Sequence, residues 1–82
     1  MTHCHYTVVL EPDREEPERY NVRVPALPGC LTYGESIEDA LANAREAITG
    51  YIKTLIADGQ PIPAETHPTI ATTVVVTLNG AA

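Results

Sequence analysis

The chain has 82 residues, 44% of them hydrophobic, which suits one globular domain and argues against a disordered chain. Five basic residues against eleven acidic ones give a net charge of −6, and an acidic surface repels phosphate backbones, so direct binding to nucleic acid is disfavoured. No apolar stretch approaches the roughly 18 residues of a membrane span and no export signal is recognisable, so we expect a cytoplasmic protein.

Three short strands are predicted in the first half of the chain. Residues 6–10 are apolar and largely β-branched, which is typical of a strand. The stretch 11–18 holds five carboxylates and two prolines, a composition that predicts a solvated hairpin connection. Residues 20–24 and 29–34 follow as the second and third strands, and consecutive short strands favour an antiparallel meander.

The second strand alternates between apolar and polar side chains, as a strand with one buried and one wet face does. The apolar positions are Tyr20, Val22 and Val24. The polar positions are Arg19, Asn21 and Arg23. We expect these polar residues, together with Glu15 and Glu16 of the hairpin connection, to face a partner molecule.

A rigid turn joins the second strand to the third. Pro25 and Pro28 hold φ near about −65° and donate no backbone hydrogen bond, while Gly29 accepts the backbone angles of a sharp reversal. Cys30 either packs as a small apolar residue under a helix or serves as a nucleophile beside an unidentified base. We assign a structural role to the turn residues Pro25, Leu27, Pro28, Gly29, Cys30 and Gly34.

A long amphipathic helix is predicted next. Ser36 is placed to cap its N-terminus, and Glu38 and Asp39 lie at the positive end of the helix dipole. Gly59 ends the helix and Pro61 prevents its continuation. The apolar stripe of this helix consists of Ile37, Ala40, Leu41, Ala44, Ile48, Tyr51, Ile52, Leu55 and Ile56.

Residues 70–78, IATTVVVTL, are the most strongly β-branched stretch and predict a final strand. The predicted fold class is α+β, in the order β-β-β-α-β, with a mixed four-stranded sheet and one long helix packed on one face. A right-handed crossover would lay the last strand parallel to a neighbour. We expect a single domain over 1–82, with frayed ends at 1–5 and 79–82 and without a C-terminal DNA-binding domain.

No catalytic residue can be assigned from the sequence. The carboxylates crowd the stretch 11–18, whereas two-metal chemistry requires acids that converge on a rigid scaffold. His3, Cys4 and His5 are zinc-ligand types, but no matching CxxC or HxxxH pair accompanies them. We predict that the protein binds no metal and no cofactor and has no enzymatic activity. An enzyme that uses Cys30 or the loop acids is the least favoured alternative.

Several short motifs resemble the HicB-type antitoxins and together span roughly residues 6–65. They are Tyr20-Asn21-Val22, VPALPGC at 24–30, Gly34-Glu35-Ser36, Glu38-Asp39-Ala40-Leu41, Asn43-Ala44, Asp58-Gly59 and Pro61-Ile62-Pro63. The resemblance implies a degenerate ribonuclease-H-like fold that has lost its catalytic acids. Many relatives also carry a C-terminal segment that binds operator DNA, for which this sequence offers no basic helix.

Members of this family bind and neutralise a small HicA-type toxin, a basic ribonuclease that cleaves mRNA using a histidine. The resemblance therefore implies an antitoxin-like protein that occludes the toxin's RNA-binding surface, and the net charge of −6 suits a basic partner. We also expect a homo-oligomer, because a small core and a strong terminal strand favour association. The alternative is a solitary oligomeric adaptor of the same fold without a toxin partner.

Overall fold

Three short strands and one long helix make up the body of the chain. Strands β1 (Val9–Pro12), β2 (Tyr20–Arg23) and β3 (Leu31–Gly34) precede helix α1 (Ile37–Ala57). This computed structural model describes residues 4–66 and 68–80. The α+β class with one long helix is thereby confirmed. Fraying was predicted for residues 1–5 and 79–82, most of which lie outside the residues that the structure describes.

The strands form an antiparallel meander in the order β1-β2-β3, with Leu10 opposite Val22 and Val22 opposite Thr32. The first strand begins three residues later than predicted. In this register Thr7 would lie opposite Pro25, which donates no ladder hydrogen bond, so regular pairing starts at Val9. Pro12 closes β1, as an edge strand allows.

Helix α1 covers one face of the sheet through small residues. Ala40 and Ala44 are buried against Val22, and Gly34 of β3 lies directly beneath the helix. A Cβ atom at Gly34 would lie 2.2 Å from the backbone nitrogen of Ala40, so backbone contacts backbone there. A second cluster, under the C-terminal half of the helix, consists of Val24, Leu27 and Cys30.

Both ends of α1 are capped as the sequence predicts. The Asp39 amide donates to Ser36 Oγ at 3.0 Å, which satisfies one of the first free N–H groups of the helix. The Asp39 carboxylate in turn accepts from the Glu35 amide at 2.9 Å. At the other end Gly59 has φ +67°, and the Gln60 amide donates to the Leu55 carbonyl at 2.9 Å.

The fourth strand of the predicted mixed sheet does not form in the described part of the chain, where the sheet has three antiparallel strands. Residues 70–78 are exposed and lie outside the sheet. The chain is tethered before it reaches them, because the Glu65 carboxylate accepts from the amide and from the hydroxyl of Thr7, both at 2.6 Å. Tyr6 Oη also donates to the Pro63 carbonyl.

Candidate protein-binding surface

The helix leaves the second face of the sheet uncovered, and we call this surface the open face. Side chains alternate along each strand, so the residues that flank the buried Val22 and its partners point away from α1. The ladder places Val9, Arg23 and Leu31 in one row and Glu11, Asn21 and Tyr33 in the next. The open face comprises Val9, Glu11, Arg19, Asn21, Arg23, Leu31 and Tyr33.

Arg19 and Tyr33 form a stacked pair on the open face. The guanidinium carbon of Arg19 lies 3.7 Å from the centroid of the Tyr33 ring, which is a cation–π contact. The Arg19 Nε atom is buried and has no hydrogen-bond partner among the described residues. Tyr33 is 47% exposed, so the stack presents a flat aromatic surface of fixed orientation.

Leu31 and Tyr33 give the open face an apolar centre that the sequence analysis did not identify. Leu31 is 69% exposed, although nothing in the fold requires a large apolar side chain at that position. Around it, Arg23 Nε lies 3.4 Å from Glu11 Oε1, with both side chains largely exposed, so this ion pair contributes little to stability. An apolar centre with a charged margin is typical of a protein–protein interface.

The hairpin beside the open face is organised around Asp13. Its carboxylate accepts from Asn21 Nδ2 at 2.8 Å and from the amides of Glu15 and Glu16 at 3.2 and 3.1 Å. The Asn21 hydrogen bond is the main cause that holds the pKa of Asp13 below its usual value. The acidic connection is therefore ordered at its base, with the side chains of Glu15 and Glu16 exposed.

The structure thus places the predicted partner-facing residues in two groups. Arg19, Asn21 and Arg23 lie together on the open face, and Glu15 and Glu16 lie in the hairpin at one end of the sheet. Contact with a partner remains a prediction for all five. Leu31 and Tyr33 could have been found from their alternation with Thr32 and Gly34, but only once the helix-facing side of the third strand was known.

Within the turn, Leu27 and Cys30 are buried in the core cluster under the helix, whereas Pro25, Pro28 and Gly29 are exposed. Leu27 is fully buried, its amide donates to the Val24 carbonyl at 3.0 Å, and its own carbonyl accepts from the Cys30 amide at 3.0 Å. Gly29 has φ +82°, a left-handed conformation that side chains rarely adopt. Tyr51 Oη of the helix donates to the Pro28 carbonyl at 2.9 Å and so joins α1 to the turn.

Cys30 is packed in the core beside Val24 and Leu27, where burial raises the pKa of its thiol. A nucleophilic cysteine needs a lowered pKa and access to solvent, so this environment favours the packing role over the nucleophile role. Within the described residues, no group of three or more His, Cys, Asp or Glu side chains is placed to hold a metal ion. His3 lies outside those residues.

No helix in the described portion of the chain is long and apolar enough to cross a bilayer.

Residues 6–75 match the family described as the HicB-like antitoxin of bacterial toxin–antitoxin systems. Because this match covers most of the chain, the protein belongs to the HicB-like antitoxin family. A UPF0150 protein of Thermoplasma acidophilum is 47% identical over 58 residues, which are 71% of this chain and 81% of that protein. A UPF0150 protein of Synechocystis is 44% identical over 61 residues, 74% and 75% of the respective chains.

A solved structure is also similar. The crystal structure of the N-terminal domain of the antitoxin HicB from Burkholderia pseudomallei matches with a TM-score of 0.59 and 37% sequence identity. The match covers 79% of this chain and 69% of that one. The family assigned from the sequence motifs is thus confirmed by the family match and by this structural match.

Proposed function

We propose that this protein is an antitoxin that binds a HicA-type, mRNA-cleaving toxin and covers the toxin's RNA-binding surface. The proposal assigns no catalytic step to the chain itself. The observation that carries it is membership of the HicB-like antitoxin family over residues 6–75, combined with a sheet face that the fold leaves uncovered.

The side chains of the open face support a binding role. Aromatic residues and arginine are enriched at the energetic centres of interfaces, and the Arg19–Tyr33 stack supplies both in a fixed arrangement. A stacked pair loses less conformational freedom on binding than two free side chains would. Leu31, next to it on the same strand face, supplies the apolar anchor that a partner pocket would bury.

The charge of the chain supports a basic partner. With a net charge of −6, the chain attracts a cationic ribonuclease over a distance of about 10 Å at 0.1 M salt, which accelerates encounter. Glu11 lies on the open face and Glu15 and Glu16 lie in the adjoining hairpin, so acidic side chains border the apolar centre. We expect the association rate with the toxin to fall as salt is added.

The test takes as candidate toxin any small basic protein whose gene lies beside the gene of this chain. Purified toxin should cleave mRNA, and an equimolar amount of this protein should stop the cleavage. Two variants locate the surface: Leu31→Arg on the open face and Ile56→Arg on the helix. They add the same charge at similarly exposed residues, 69% and 61% exposed. We expect Leu31→Arg to lose neutralisation and Ile56→Arg to retain it.

Two results would overturn the proposal. If the neighbouring protein neither binds this chain nor is neutralised by it, the chain acts instead as the solitary adaptor considered above. If Leu31→Arg and Ile56→Arg neutralise the toxin equally well, the open face is not the toxin-binding surface.

A further inference from the structure

The C-terminal segment, residues 70–78, has the pattern of a half-buried strand but is exposed along its whole length. Four of its five even positions, Ile70, Val74, Val76 and Leu78, are large apolar residues that are 71–85% exposed, and the fifth is Thr72. Its odd positions, Ala71, Thr73, Val75 and Thr77, are on average less apolar. An exposed β-branched strand is a template for pairing with another chain, so the segment needs a sheet edge that accepts it.

The segment lies away from the body of the protein. The radius of gyration is 16.5 Å, whereas a compact domain of this length has about 12 Å. The chain spans 58 Å along its longest axis and only 28 and 20 Å along the others. Pro61, Pro63 and Pro68 stiffen the connection to α1, and the Glu65–Thr7 hydrogen bonds fix where it passes the sheet.

The open edge of β1 can accept such a strand. The Asp13 amide donates to the Arg19 carbonyl at 2.8 Å, so odd-numbered residues of this strand pair with β2. The N–H and C=O groups of Leu10 therefore point to the free edge, and Val8 directly precedes the strand at that edge. Beside that edge a groove of about 590 Å³ runs beneath α1. Its apolar walls include Tyr6, Val8, Leu41, Ile48 and Ile52.

The other edge of the sheet is less suited to accept a strand. Asn43 Nδ2 of the helix donates to the Tyr33 carbonyl at 2.7 Å, which occupies a main-chain acceptor at the free edge of β3. The groove on that side is smaller, about 360 Å³. The β1 edge is thus the better acceptor.

The segment begins on the wrong side of β1 to reach the open edge of its own copy. Thr7 is bonded to Glu65 through an amide that points towards the β2 side, and Thr69 shares a small pocket with Pro25 and Ala26 of the turn after β2. To reach the edge formed by Val8 and Leu10, the segment would have to cross the end of its own sheet. A second copy offers the same edge without that reversal.

We propose that two copies exchange their C-terminal segments, each segment pairing as a fourth strand with the open β1 edge of the other copy. A reciprocal exchange is two-fold symmetric and closes at a dimer. The nine residues of the segment and the eleven that line the groove supply about 20 residues per copy, the lower end of the roughly 20–30 typical of stable interfaces.

Charge does not oppose this contact. Residues 66–82 contain no Asp, Glu, Lys or Arg, and the charged side chains that line the groove are Arg45 and Lys53. The acidic residues responsible for the net charge of −6 are therefore kept out of the exchanged strand and its groove. The even-numbered face of the segment enters beneath the helix, where it covers Leu41, which is otherwise 48% exposed.

The first test is the mass of the intact protein in solution without any toxin, so it does not depend on the proposed antitoxin activity. Sedimentation should give twice the 8.8 kDa chain mass. Val76→Asp, on the face that enters the groove, should weaken the dimer by at least about 30-fold, the loss typical of an interface hot spot. Thr77→Asp adds the same charge on the opposite face and should weaken it much less.

Mixing two variants distinguishes exchange from folding of the segment onto its own body. Leu41→Asp places a charge in the groove and leaves the segment intact. Val76→Asp places a charge on the segment and leaves the groove intact. Each alone should be monomeric with an unchanged helical circular dichroism signal, and their mixture should form a heterodimer through the one intact contact. If Leu41→Asp loses the helical signal, Leu41→Gln replaces it.

Several outcomes would overturn the exchange. The first is an intact protein that stays monomeric at tens of micromolar. In that case a segment protected from amide hydrogen exchange folds onto its own copy, and a segment protected only when toxin is added binds the toxin instead. The second is a dimer that Val76→Asp leaves intact. The third is a mixture of the two variants that remains monomeric.

Discussion

The two faces of the sheet are built from opposite kinds of residue. The covered face holds a glycine and alanines, Gly34, Ala40 and Ala44, and brings the helix into backbone contact with β3. The open face holds the large, exposed side chains of Leu31 and Tyr33, with the partly buried Arg19 stacked on the tyrosine ring. The covered face therefore determines stability and the open face determines binding. Substitutions on the covered face should leave toxin binding almost unchanged, and substitutions on the open face should leave the free energy of unfolding almost unchanged.

The largest effect is expected from Gly34→Ala. A Cβ atom there lies 2.2 Å from the backbone nitrogen of Ala40, and backbone cannot move aside as a flexible side chain can. We expect the free energy of unfolding to fall by about 3 kcal/mol, as in severe overpacking. Gly50→Ala is the matched control, because its Cβ meets nothing within 4 Å on the exposed side of α1, and it should stabilise the protein by about 1 kcal/mol. Equal effects of both variants in chemical denaturation would contradict the described packing.

Gly29→Val should destabilise the protein by about 2 kcal/mol, because a β-branched residue is strained at a positive φ. At this position the backbone angle, φ +82°, is the only obstacle, since a Cβ atom meets nothing within 4 Å. Gly29→Asn should lose less, because asparagine tolerates the left-handed region better. A melting temperature that Gly29→Val leaves unchanged would show that the turn has another conformation.

On the open face, Tyr33→Ala should reduce the free energy of unfolding by only about 1 kcal/mol or less, the size of an exposed cation–π contact. The same variant should markedly weaken toxin binding, measured by calorimetry. Tyr33→Phe keeps the ring under Arg19 and should retain both properties. The division between the faces fails if Tyr33→Ala lowers the melting temperature as much as Gly34→Ala does.

The smallest effect concerns pH and the tether at Glu65. The hydrogen bonds from the Thr7 hydroxyl and amide hold the pKa of Glu65 below its ordinary value. A lowered pKa in the folded state stabilises the protein fully above the unfolded value of about 4.3, and this stabilisation is lost as the pH falls through the folded value. Glu65→Gln should therefore flatten the decline of melting temperature between pH 5 and 2. A decline identical to that of the wild type would exclude the tether.

Local features of the fold could be read from the sequence. Ser36 and Gly59 bound the helix because capping depends on neighbours within a few residues. The alternation of Tyr20, Val22 and Val24 separated the two faces of β2 because a strand has a period of two residues.

Features that depend on distant partners could not be read in this way. The contact between Thr7 and Glu65 joins residues 58 positions apart, and the Asn43–Tyr33 bond requires the helix to pass over the edge of β3. The β-branched composition predicts residues 70–78 as a strand, but it does not say which edge accepts that strand or in which copy of the chain the edge lies. The open face was recognised on β2 alone, because the orientation of Leu31 depends on the geometry of the preceding turn.

The claim that the open face, and not the helix side, binds the toxin is tested most directly by hydroxyl-radical footprinting of the tyrosines in the toxin complex. Tyr33 lies on the open face, whereas Tyr51 lies on the helix beside the core cluster. Binding of the toxin should strongly reduce oxidation of Tyr33 and leave that of Tyr51 unchanged. Unchanged oxidation of Tyr33 in a saturated complex would contradict the account, because the toxin would then bind elsewhere on the molecule.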